Sequence, residues 1–340
     1  MAEPARIAHD AGLEALPHVP SQPAPSNLDA IVRGERPVIL KGLFDTWPAL
    51  AAGQAGPETL NQYLGAMDRG LPVPVIEAPA RSGGRYAYGP DPREFTFTKR
   101  QGRIPETLDR ITRAIGQPEA PFVAIQMLPL ASHLPEFVAR NPMPALPGVA
   151  PRLWIGGRVQ TQTHNDRDHN LACVIAGRRR FLLFPPEQVA NLYVGPLDNP
   201  PPLSLVDPEA PDLARFPRYA EAVAAAQVAF LDPGDAIFLP KYWWHHVASL
   251  DPYNAMVNYW WGDTATGIER PNHVFLAALL ALRHLPPGER AYWQAMFATH
   301  VFGDAPAHIP EPLQGALGTM RPGFRAALRQ QLKTAFLKAP

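Results

Sequence analysis

Short runs of β-prone apolar residues, each closed by a turn residue, dominate the first 260 positions of the chain. Arg36-Pro-Val-Ile-Leu-Lys-Gly42 is the first such run, followed by Trp47-Pro48. Val73 to Glu77 and Phe122 to Met127 read as further strands, and residues 81–96 alternate aromatic and turn residues as a hairpin or loop does. Helical spacing marks 57–67, through Leu60, Tyr63 and Leu64, and 105–115. Between 152 and 262 the runs crowd together: Leu153-Trp-Ile, Val159 to His164, Asn170 to Ile175 and Arg180 to Phe184, then Val228 to Leu231, Ala236 to Leu239 and Met256 to Trp261. A proline-rich insertion, 185 to about 226, divides them. Many short strands with turn signals predict a β-sandwich or barrel. From 271 the period changes to helical, over 271–284, 288–302 and 320–338, with Phe275, Leu276, Leu279 and Leu280 on one stripe. The expected organisation is a loosely ordered leader over 1–30, a mainly β domain over 31–265 and a helical region over 266–340.

Composition narrows the function. The chain holds 31 basic and 31 acidic residues, so its formal net charge is zero and gives no electrostatic case for nucleic acid or an anionic membrane as main partner. No apolar run approaches the roughly 20 residues that span a bilayer. The first 30 residues do not read as a signal peptide, and the expected compartment is the cytoplasm. One cysteine, Cys173, excludes an intrachain disulfide and a cysteine-based metal site. The 42 prolines cut the chain into short elements and argue against a helical bundle.

The candidate chemistry begins at Gln162-Thr-His164-Asn-Asp166. In a strand, residues two apart face the same way, so His164 and Asp166 can address one ion. Asp232-Pro-Gly-Asp235 is a tight-turn signature, and the strand Ala236–Leu239 after it is expected to deliver Lys241-Tyr-Trp-Trp-His245-His246. His245 would complete a two-histidine, one-carboxylate set, a pattern suited to non-haem Fe(II) with positions left open. His169 falls out of phase and is read as outward-facing. His246 points away from His245, as a supporting or surface residue. Tyr242, Trp243 and Trp244 are expected to pack around the pocket.

These motifs resemble the JmjC-type, cupin-like 2-oxoglutarate oxygenases. The matching residues are Thr161-x-x-His164-x-Asp166-x-x-x-Asn170, Gly177-Arg-Arg-Arg-Phe-Leu-Leu-Phe-Pro-Pro-Glu-Gln188, Asn191-Leu-Tyr193, Arg215-Phe-Pro217, Pro233-Gly-Asp235, Pro240-x-Tyr-Trp-Trp-His-His246 and Val257-Asn-Tyr-Trp260, with the N-terminal run at 36–48. The resemblance covers roughly 30–265. It implies a double-stranded β-helix (jelly-roll) core with flanking helices, and iron held by His164, Asp166 and His245. It also implies a 2-oxoglutarate site at Thr161, Asn170 and Asn258, and a hydroxylase that uses Fe(II), 2-oxoglutarate and O2 on an unidentified protein, peptide or small molecule. Where the family has a lysine for the far carboxylate, this chain has Arg179, whose phase groups it with Phe181 and Leu183 and away from Arg178 and Arg180. Where the family often has a tyrosine, it has Ala124. The alternatives are a cupin that holds its metal for non-oxidative chemistry and a catalytically silent binding module. The helices after 266 either join two copies, as the resemblance implies, or cap one end of the barrel.

Overall fold

In the computed structural model, which describes residues 13, 15–197, 202–262, 270–304, 306–318 and 320–337, the short runs become fourteen strands. In chain order these are β1 (Ser21–Pro23), β2 (Val38–Lys41), β3 (Val73–Ala78), β4 (Arg85–Tyr86), β5 (Thr98–Gly102), β6 (Phe122–Pro129) and β7 (Pro151–Gly156). They continue with β8 (Gln160–Asn165), β9 (His169–Ala176), β10 (Arg179–Phe184), β11 (Gln227–Leu231), β12 (Ala236–Leu239), β13 (Trp244–Ser249) and β14 (Asn254–Trp261). A nine-stranded sheet runs β1-β2-β12-β9-β14-β7-β6-β3-β5, and a five-stranded sheet runs β11-β10-β13-β8-β4. From β7 to β10 and again from β11 to β14 the chain alternates between the two sheets, as in a jelly roll, which is the fold class that the strand pattern and the resemblance predict.

Three apolar layers hold the sheets. Between them lie Ala172, Val174, Ile237 and Met256 from the large sheet against Phe181, Leu183, Ala229 and Val247 from the small one. On the far side of the large sheet, Cys173, Ile175, Phe238 and Val257 pack with the helices Pro48–Gln54, Pro57–Gly65 and Ile104–Arg113. On the far side of the small sheet, Leu182, Phe184 and Trp244 pack with Val206, Phe216 and Tyr219 of the proline-rich insertion. Each such Leu, Phe or Val contributes about 1.5–3 kcal/mol on full burial. Because both faces of the central strands are covered, β9 buries all of its residues and reads in the sequence as a continuous apolar run rather than an alternating one. The chain leaves the large sheet for the small one at Gly177, whose φ is +65°, and a Cβ there would fall on the Tyr253 carbonyl oxygen. Only glycine fits that crossing.

Two expectations need correction. The stretch 1–30 is not a loose leader over its described later half: Val19 and Leu28 are buried, Val19 N–H donates to Val228 O at 2.8 Å, and β1 pairs in parallel with β2. And β12 does not carry the chain on to His245. It ends at Leu239, and His245 belongs to β13 in the other sheet.

The chain divides into one compact unit ending at Gly262 and a C-terminal unit beyond it. The C-terminal unit contains the helices Pro271–Leu282, Pro287–His300 and Pro322–Leu337. No helix among the described residues is long and apolar enough to cross a membrane.

Candidate metal centre

His164 lies near the end of β8, and β13 runs antiparallel beside it with His245 paired to His164. Asp166 follows just after β8. Ligand atoms of these three side chains all lie within 4.8 Å of one another. The His164 and His245 ring centroids are 4.3 Å apart, and His245 Nε2 is 3.7 Å from Asp166 Oδ2. His245, remote in sequence, is therefore a direct cross-strand neighbour in space.

Both imidazoles are oriented by the same local device. His164 Nδ1 is 2.8 Å from Gln162 O and His245 Nδ1 is 3.0 Å from Trp243 O. A carbonyl oxygen only accepts, so each Nδ1 carries the proton and each Nε2 presents its lone pair to the shared space. Asp166 Oδ2 accepts from Trp260 Nε1 at 2.9 Å and from Asn170 Nδ2 at 3.2 Å. Asn170 Oδ1 in turn accepts from Asn258 Nδ2 at 2.8 Å. Burial alone would raise the Asp166 pKa, but the charges of His245 and His164 and the Trp260 and Asn170 hydrogen bonds outweigh it and hold the carboxyl below its ordinary value. Two imidazole nitrogens and a carboxylate around a cavity fit a divalent transition metal.

Thr161 and His164 differ by three, so plain alternation would put them on opposite faces. Two residue steps along β13, His245 to Val247, are matched by three along β8, His164 to Thr161. Gln162 and Thr163 thus form a bulge opposite His246, which returns Thr161 to the cavity wall with His164. The bulge is fastened to the insertion: Gln162 Nε2 donates to Ser204 O and Val206 O, and Thr163 O accepts from Ser204 N–H.

Arg179 faces inward, as its phase predicts. It lines the same cavity, is 5% exposed, and enters no ion pair among the described residues. Burial lowers its pKa to about 10, so it stays charged at neutral pH. Its neighbours point away: Arg178 pairs with Asp251 and Arg180 with Glu209. Asn170 and Asn258 also line the cavity, but their mutual bond and the bond to Asp166 make them supports of the carboxylate as well. The sequence placed Asn258 and Trp260 on one face; the bond from the Trp260 indole to Asp166 had no signal there. At Ala124 the wall is tight, since a Cβ on its partner Gly156 would sit 2.6 Å from the Ala124 Cβ.

The other expectations divide. His169 is turned away from the cluster and packs against Phe238 and Trp261. His246 is fully buried, not at the surface, on the insertion side of β13 and 3.7 Å from Glu209. Trp243 and Trp244 are core residues, but Tyr242 is 38% exposed, with φ +70° and its N–H on Asp166 O at 2.8 Å. It therefore shapes the turn rather than the core.

A pH effect follows from the buried histidines. Burial, and next the charge of His164, lowers His245 to about 4. Burial, and next the charge of Arg180, lowers His246 to about 3. The unfolded chain takes up these protons near pH 6.5 and the folded chain refuses them. Their contribution to stability is therefore complete above pH 6.5 and is lost as the pH falls toward 4 and 3, at about 1.4 kcal/mol per unit for each group. Asp166, held low, loses its contribution on acidification too. The Tm of the metal-free protein should fall steadily from pH 6.5 to 5, and calorimetry showing a flat profile would contradict this.

A jelly roll that brings two histidines and a carboxylate to one end of its inter-sheet cavity has cupin-type architecture. The chain belongs to the cupin-like domain family, whose profile matches residues 23–267. Among curated proteins it is similar to human HSPB1-associated protein 1, 37% identical over 121 residues, 34% of this chain and 24% of that protein. It is similar to Lysine-specific demethylase JMJ31 of Arabidopsis thaliana, 38% identical over 110 residues, 32% of this chain and 20% of that protein. It is also similar to Lysine-specific demethylase 8 of Xenopus tropicalis, 26% identical over 239 residues, 67% of this chain and 48% of that protein. The matches thus span between a fifth and a half of these relatives' own lengths.

Proposed function

We propose that this protein is an Fe(II)- and 2-oxoglutarate-dependent oxygenase that hydroxylates a C–H bond of a protein, peptide or small molecule. The observation that carries the reading is a single cavity of about 630 Å³ whose wall holds both the His164–Asp166–His245 cluster and the unpaired guanidinium of Arg179. Three protein ligands leave room at an iron ion for a keto acid and oxygen, and the ion supplies the oxygen activation. Arg179 receives the far carboxylate of 2-oxoglutarate in two-point fashion, helped by the Thr161 hydroxyl. Asn170 and Asn258 hold Asp166 in place beside the cosubstrate. Phe181, Val247 and Met256 line the inner wall and keep water from it. Anaerobic addition of 2-oxoglutarate to the Fe(II)-loaded protein should give a visible charge-transfer band, and oxygen should then yield succinate. Stoichiometric Fe(II) binding with neither signal would favour the non-oxidative alternative.

We also propose that a second copy of the chain covers the C-terminal helices. Pro271–Leu282 and Pro287–His300 bury no residue, while Leu280 is 84% and Phe275 48% exposed. Apolar surface of that kind marks an interface, and a symmetric pair is the commonest way to cover it. Light scattering after size exclusion should give twice the 37.3 kDa of one chain; a mass of 37.3 kDa would rule the pair out.

A further inference from the structure

The cavity does not stop at the metal cluster. It continues outward over the inner face of the large sheet, past Trp260 and Arg152 to Trp154, Ile76 and finally Lys99 on the edge strand β5. Arg152 is half-buried there. Its guanidinium carbon lies over the Trp260 ring, 5.8 Å from the centroid. The nitrogen of the same indole donates to Asp166. Arg152 is thus one ring away from the cluster, and its guanidinium has five N–H donors to offer a ligand.

No hydrogen bond or ion pair among the described residues takes those donors. Several arginines elsewhere find carboxylates: Arg110 meets Glu77, Arg178 meets Asp251 and Arg180 meets Glu209. The three cations of the outer cavity, Lys99, Arg152 and Arg167, enter no ion pair among the described residues. Asp168, at the same rim, is already engaged within the protein. A half-buried guanidinium without a counter-charge is costly to keep, and an anionic ligand removes that cost.

The spacing says what form the anion takes. Lys99 shares a row with Ile76, Ala124 and Gly156, three strands from β7 and four positions along from Arg152. The two backbone positions are therefore roughly 20 Å apart, the span of roughly six extended residues. A single carboxylate cannot meet both. The floor between them is apolar and carries a second bulge. Gln126 and Met127 stand opposite Trp154, with Met127 at φ +55° and 48% exposed, offering a hydrophobic contact at mid-cleft.

Resting on the oxygenase reading, we propose that the primary substrate is an extended acidic peptide segment. One of its carboxylates is received by Arg152 beside the metal cluster and another by Lys99 at the rim. Arg152 is then the residue that sets which side chain stands next to the reacting carbon.

Fluorescence anisotropy tests this on the full chain loaded with Mn(II) and 2-oxoglutarate without oxygen. The probes are fluorescein-labelled nine-residue peptides of alternating Glu and Ala, with Gln and Lys counterparts. The Glu peptide should bind at least tenfold tighter than the Gln peptide and weaken with salt, and the Lys peptide should not bind. Lys99→Gln, on an exposed strand, and Arg152→Gln should each lose at least threefold, while Arg140→Gln, an exposed arginine far from the cleft, should lose nothing. Equal affinity for Glu and Gln peptides, or parental affinity in both variants, overturns the proposal. So does N-acetylglutamate amide binding as tightly as the peptide. The charge-transfer band, recorded in parallel with Fe(II), separates the two readings: a band without acidic preference sinks this inference alone, and acidic preference without a band sinks the oxygenase.

Discussion

Replacing His245 with alanine is expected to lower divalent-metal affinity by well over a hundredfold and to remove the Fe(II)–2-oxoglutarate band altogether. The side chain is one of the three donors that the described residues bring together, and its Nε2 is fixed toward the cluster by the Nδ1–H bond to Trp243 O. Asp166→Asn should be nearly as severe, because it removes the negative charge that the Trp260 and Asn170 donors are arranged to hold. Trp260→Phe keeps an aromatic side chain, though a smaller one, and deletes the N–H; loss of such an orienting bond is expected to weaken metal binding by about 10–100-fold. His169→Gln changes an imidazole that packs between Phe238 and Trp261 on the other side of the strand, and should leave metal affinity unchanged. Manganese titration followed by EPR of the free ion ranks all four. Parental affinity in His245→Ala would end the case for this centre.

The second large effect lies at Arg179. Arg179→Met should weaken 2-oxoglutarate binding by on the order of 100- to 1,000-fold, the cost of leaving one partner of a buried charge pair alone, about 3–5 kcal/mol. The same substitution removes a buried cation that has no ion-pair partner among the described residues, so the Tm without 2-oxoglutarate should stay level or rise. That opposition distinguishes an anion anchor from a structural arginine, whose loss would lower Tm under all conditions. Arg179→Lys keeps the charge without the two-point geometry and should fall between. Differential scanning fluorimetry with and without 2-oxoglutarate reads both effects. If the cosubstrate stabilises Arg179→Met as much as the parent, Arg179 is not its anchor.

Much of the candidate centre was legible because strand alternation is local. The phase of His164 and Asp166, of Arg179 with Phe181 and Leu183, and of Asn258 with Trp260 needs only the two-residue repeat. Where alternation breaks, the reading broke with it. Thr161 reaches the cavity only because β8 bulges at Gln162 and Thr163, and the bulge depends on Ser204 and Val206, some forty positions later. The strand expected to deliver His245 ended early for a similar reason. The chain turns at Pro240 to Tyr242, with a left-handed residue, and re-enters the other sheet. In the first thirty residues, composition suggested looseness, but Val19 and Ser21–Pro23 are held by Val228 and by β2.

From its sequence alone, the chain was determined to be a series of short strands carrying an oxygen- and nitrogen-donor set, with each donor's side of its strand largely settled. Folding decided which sheet each strand joined. It also set His245 directly across from His164, placed Arg152 over the indole that holds Asp166, and left Arg179 without an ion-pair partner among the described residues. The physical reason is range. Side-chain direction follows from backbone geometry within two residues, whereas strand partners, bulges and unpaired charges result from contacts between segments tens to hundreds of positions apart, which no local period encodes.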